Sequence, residues 1–146
     1  MGTRMIGRIY GITLFLITLT GFAQMPIFKR YYIADIPGLG WLAQFYVTHG
    51  IHYIMASVLL CLGAYVLVNQ ILDGGGLGRL TLSGRIKGLL ILGLVTSGGF
   101  MVVRNLAGVY FSHTAIHVMN LVHLGLCMAL LAVSGITLIK GKKWTR

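Results

Sequence analysis

Charged residues break the chain into four long apolar runs. The uncharged stretches are Ile9–Phe28, Ile36–Leu72, Gly88–Val103 and Asn105–Ile139. A helix that crosses the bilayer core needs about 20 mostly apolar residues. The pattern therefore predicts four membrane spans, over about 7–25, 43–71, 86–104 and 112–139. The third run is short and rich in glycine, so Lys87 and Arg104 are expected to serve as its snorkelling ends. The first has a basic front, but its apolar region is long, running from Ile9 to Phe28 without a charge. It reads as a retained helix rather than a signal peptide.

Composition agrees with the pattern. Of 146 residues, 57% are hydrophobic and 10% charged, and the mean hydropathy is +0.87, outside the range of soluble domains. The expected fold class is an all-α membrane protein, a bundle of four transmembrane helices forming one domain. Basic residues set the expected orientation. Arg4, Arg8, Arg79, Arg85, Lys87, Lys140, Lys142, Lys143 and Arg146 fall on one side of such a layout, and Lys29, Arg30 and Arg104 on the other. The excess places both termini in the cytoplasm, N-in and C-in. It also accounts for most of the +10 net charge, through basic loops facing anionic lipid, and disfavours nucleic-acid binding.

The remaining landmarks narrow the function classes. Cys61 and Cys127 lie inside spans with no CxxC or CxxCH nearby, which argues against a structural disulfide or covalent haem. The loop "MPIFKRYYIADIPGLGWLAQ" between the first two spans carries Pro26 and Pro37, and its Tyr31, Tyr32 and Trp41 suit an interfacial belt. The "GGGLG" run in the middle loop lacks the GK[ST] and the preceding strand of a phosphate-binding loop.

Five histidines carry the candidate chemistry. His49 and His52 come early in the second span, and His113, His117 and His123 early in the fourth. Ionisable side chains inside a membrane are costly and mark a functional interior. His49 lies 23 residues before Leu72 and His117 lies 23 before Lys140, while His52 lies 20 before Leu72 and His123 lies 17 before Lys140. At about 1.5 Å per residue, every cross-helix pairing of these four is level within ~9 Å. Two imidazoles at one depth on facing helices are what axial ligation of haem iron requires. The inner half of the membrane contains no histidine, so one b-type haem near the outer face is expected.

His52 with His123 is the favoured ligand pair, because "HYIMASVLL" and "HLGLCMALL" look alike and place small residues after each histidine. His49 with His117 matches depth more closely and stays the alternate. His113, His117 and Asn120 form a polar stripe suited to a quinol proton or a haem propionate. Lys29, Arg30 and Arg104 are the outer cations available to neutralise propionates. Zinc is a rival metal, but a structural zinc site normally wants four ligands and the chain's only acids are Asp35 and Asp73.

The "LFLITLTGFAQMP" segment closing the first span, with a histidine early in span two and others in span four, resembles the small cytochrome b subunits of membrane-bound formate dehydrogenases and nickel–iron hydrogenases. The resemblance covers most of the chain as a four-helix layout. It implies a subunit that anchors a redox partner and passes electrons between that partner and the quinone pool. Its span-two ligand falls on His49 or His52, and its span-four ligand on His117 or His123. Family members usually supply a further haem ligand from span one, where this chain has no histidine, so a single-haem relative is implied.

The sequence thus predicts a haem b subunit of a bacterial respiratory complex in the inner membrane. Its expected partners are lipid, quinone or quinol as exchangeable substrate, and an outer-side iron–sulfur or multihaem subunit within a hetero-oligomer. The alternative is a cofactor-free membrane anchor or assembly subunit. With no soluble domain to hold a substrate, catalysis is expected to belong to the partners.

Overall fold

The computed structural model describes residues 3–25, 35–74 and 80–141. Four helices account for most of them: α1 (Thr3–Ala23), α2 (Phe45–Leu72), α3 (Leu82–Val103) and α4 (His113–Ile139). A short 3-10 turn, Gly40–Ala43, precedes α2 and packs on α1 and α2 through the buried Leu42. No strand occurs among the described residues. All four helices are long and apolar enough to cross a membrane, so the chain is an all-α, multi-pass membrane protein.

The helix boundaries follow hydroxyl caps more closely than charges. Thr81 begins α3, its Oγ1 accepting from the Gly84 N–H at 3.1 Å. Ser112 begins α4 in the same way, accepting from the Ala115 N–H at 3.2 Å. These contacts satisfy amide groups that a helix start leaves without carbonyl partners. The early start of α3 corrects the expected role of Lys87. Instead of marking a snorkelling end, Lys87 lies inside the helix and is only 4% exposed. The hydroxyl cap in "TLSG" starts the helix before Lys87. Arg104 does fall at the other end, as the C-cap of α3. The connection to α4 turns at Gly108, whose φ of 82° is a left-handed conformation that favours glycine.

The chain forms two compact units, Met1–Leu72 and Asp73–Arg146. The first is an antiparallel hairpin of α1 and α2, and the second an antiparallel hairpin of α3 and α4. Their packing inverts that of a soluble protein. Thr20 and Thr48 are fully buried, and Thr13, Ser97, Ser134 and Thr137 nearly so, while Leu72, Leu138 and Ile139 are widely exposed. Lipid is as apolar as leucine, so burying large apolar chains between membrane helices gains little. Small residues let the backbones approach instead. The hydroxyls do not remain unsatisfied at these interfaces in most cases. Thr20 donates to the Leu16 carbonyl at 2.7 Å, Thr48 to the Phe45 carbonyl at 3.0 Å and Thr137 to the Ser134 carbonyl at 3.0 Å.

Candidate functional site: two hydroxyl-anchored histidines

Each hairpin holds a histidine whose Nδ1 meets a hydroxyl of the preceding helix, near the end where its two helices are connected. In the first hairpin, His52 of α2 faces α1. Its Nδ1 lies 3.0 Å from the Ile17 carbonyl oxygen and 3.2 Å from Thr20 Oγ1. A carbonyl oxygen only accepts, and Thr20 Oγ1 commits its proton to Leu16. Both partners therefore act as acceptors, and the His52 proton must sit on Nδ1. The neutral ring then carries its lone pair on Nε2.

The second hairpin repeats this arrangement with different spacing. His123 Nδ1 lies 2.8 Å from Ser97 Oγ, which itself donates to the Leu94 carbonyl at 3.1 Å. With the Ser97 proton on the Leu94 carbonyl, the hydroxyl accepts from His123 Nδ1, and in that tautomer the lone pair lies on Nε2. A glycine follows each hydroxyl residue and meets the imidazole. A Cβ on Gly21 would come within 3.2 Å of His52 Cε1, and one on Gly98 within 3.5 Å of His123 Cε1. The first contact is too tight for a side chain without displacing the ring, which explains glycine at position 21.

The local sequences behind this geometry are "TLTGF" at 18–22 and "TSGGF" at 96–100. Each supplies a hydroxyl acceptor and then a glycine to the histidine of the following helix. Sequence reasoning singled out the histidines and missed Thr20, Gly21, Ser97 and Gly98. The recurrence of a hydroxyl–glycine pair in the helix before each histidine-bearing helix is the signal that identifies them.

The other sequence-predicted residues occupy different surroundings. His49 is half-buried and faces α1, with its Nδ1 3.0 Å from Gln24 Oε1. His113, the first residue of α4, is exposed, as are His117 and Asn120. Among the described residues, no hydrogen bond holds the imidazole of His113 or His117 in one tautomer. Arg104 is half-buried at the end of α3, and Lys29 and Arg30 lie outside the described residues. Both cysteines are free. Among the described residues, no three histidine, cysteine or acidic side chains gather into a metal-binding cluster.

Taken separately, His52 and His123 each have the side-chain chemistry of an iron ligand. Each imidazole has its Nδ1 within hydrogen-bond distance of an oxygen of the preceding helix. Metal-bound histidines are held by such outer contacts, which fix the tautomer and raise the basicity of the ligand. No protein-family model, curated protein or solved structure matches the chain.

Proposed function

We propose that the protein is the haem b-binding membrane subunit of a respiratory complex. In this reading it relays electrons between a redox partner on the outer side and the quinone pool, in the inner membrane of a bacterium. His52 and His123 would hold the haem iron, with His49 and His117 as the alternate pair. The observation that carries the assignment is the matched anchoring of the first pair. In each hairpin an oxygen of the preceding helix contacts Nδ1 of the imidazole, the kind of outer contact that orients a metal-bound histidine.

When bound, the haem supplies one-electron chemistry between the Fe(III) and Fe(II) states. The chain's own residues hold and tune the ligands. Thr20 and the Ile17 carbonyl orient His52, Ser97 orients His123, and Gly21 leaves room for the His52 ring. Both termini face the cytoplasm on the distribution of basic residues, so the histidines belong to the outer half of the membrane. His113, Asn120 and the outer cations Lys29, Arg30 and Arg104 are candidates to contact propionates or quinone.

Reduction by quinol tests the functional half of the proposal. In proteoliposomes containing the protein, a lipid-soluble naphthoquinol added without oxygen is expected to reduce most of the haem that dithionite reduces. A haem reducible by dithionite but inert both to naphthoquinol and, once reduced, to the corresponding quinone would contradict the link to the quinone pool.

A further inference from the structure

One histidine of the first hairpin remains outside the pair assigned to iron, and its surroundings specify a different ligand. Gln24 Nε2 donates to the Thr20 carbonyl at 3.2 Å, and this bond fixes which end of the amide is which. Gln24 Oε1 therefore faces His49 Nδ1, at 3.0 Å, and can only accept. His49 must carry its proton on Nδ1, which leaves Nε2 as a bare acceptor. Among the described residues, no donor reaches that nitrogen.

An acceptor without a donor is costly where water is scarce. The rings beside it are aromatic. Phe45 stacks on His49 with centroids 5.0 Å apart and an interplanar angle of 19°, and Tyr53 lies 4.3 Å away at 56°. Phe45, Tyr46 and Tyr53 are all exposed on the outside of the helix, so the position is reached from the membrane rather than through the hairpin. A ligand that matches needs a hydroxyl donor for Nε2 and a flat ring to lie against Phe45 or Tyr53. It must also dissolve in lipid.

We propose that the Gln24–His49 pair is the binding site for the headgroup of a membrane hydroquinone, with His49 Nε2 accepting a hydrogen bond from one of its hydroxyls. Gln24 is a positioning residue, which acts by holding the His49 tautomer. The proposal rests on the quinone-linked reading above and locates the quinol at His49 rather than at His113 and Asn120.

The test is anaerobic titration of the full-length protein in lipid nanodiscs with 2-methyl-1,4-naphthohydroquinone, followed by calorimetry and by the 15N resonance of His49 Nε2. The wild-type resonance is expected to shift on binding. His49→Phe keeps a ring but removes the acceptor, and is expected to weaken binding about tenfold, the value of one hydrogen bond. Gln24→Leu leaves His49 in place but frees its tautomer, and is expected to weaken binding about threefold even if His49→Phe fails to fold. Unchanged affinity in a folded His49→Phe or Gln24→Leu protein would overturn the proposal. Loss of a b-type spectrum in His49→Phe would also overturn it, because His49 would then be an iron ligand. A wild-type protein that binds no haem yet loses hydroquinone affinity in His49→Phe would uphold this site while rejecting the cytochrome reading.

Discussion

Alanine at His52 or at His123 is expected to abolish the sharp b-type α-band of the reduced protein. On the proposed reading, each substitution removes one of the two imidazoles that would hold the iron. Among the described residues, no third histidine, cysteine or acid clusters with them. The loss of affinity should exceed the roughly 10–100-fold that follows removal of an outer contact to a metal ligand, because the ligand itself is gone. Haem content after purification is the measurement. His117→Ala serves as the comparison, since His117 is exposed on α4 and no hydrogen bond among the described residues orients it. It should retain the band. The opposite result, with haem kept in His123→Ala and lost in His117→Ala, would transfer the span-four ligand to the alternate.

The second large effect is an inequality between two hydroxyl substitutions that look equivalent in sequence. Among the described residues, the oxygen on His123 Nδ1 is that of Ser97. His52 has two, Thr20 and the Ile17 carbonyl, and the carbonyl survives any side-chain change. With the His123 proton on Nδ1, Ser97→Ala leaves that part-buried N–H without its oxygen, at a cost of about 1 kcal/mol. The alternative is for the proton to move to Nε2, where it blocks the metal. Either way, haem retention against a scavenging haem protein is expected to fall about tenfold or more. Thr20→Val should change it less than about threefold, because Ile17 still holds the ring. The midpoint potential should rise in Ser97→Ala, since a ligand without an Nδ1 acceptor is a weaker donor to Fe(III). Ser97→Thr, which keeps the hydroxyl, should restore both quantities. Equal effects at the two positions would refute the anchoring argument.

The helices were legible because uncharged runs of this length have few other solutions, and α2 and α4 begin and end within two residues of expectation. The start of α3 was not. A basic residue marks a span's end only if its side chain reaches water, and Lys87 is buried within the helix. The histidines were legible as a group, because ionisable side chains stand out against apolar sequence. Their division was not. His49 and His52 are three residues apart, and only the partner helix distinguishes them, with Gln24 at one and Thr20, Gly21 and the Ile17 carbonyl at the other. Those partners come from another helix and depend on its register. Serine, threonine and glycine are also common throughout membrane helices, where they serve close packing. Their meaning here arises from the imidazole that each one meets.

If these imidazoles hold iron, an optical spectrum of the purified protein reveals it. The protein should be produced in a host competent for haem synthesis, purified in detergent and confirmed to be folded. Its dithionite-reduced minus oxidised spectrum is then recorded, with a pyridine haemochrome assay for haem per chain. The account predicts a b-type spectrum with about one haem per chain, the number that a single pair of axial imidazoles can hold. A folded protein with no Soret absorbance would contradict it and leave the chain as a cofactor-free anchor.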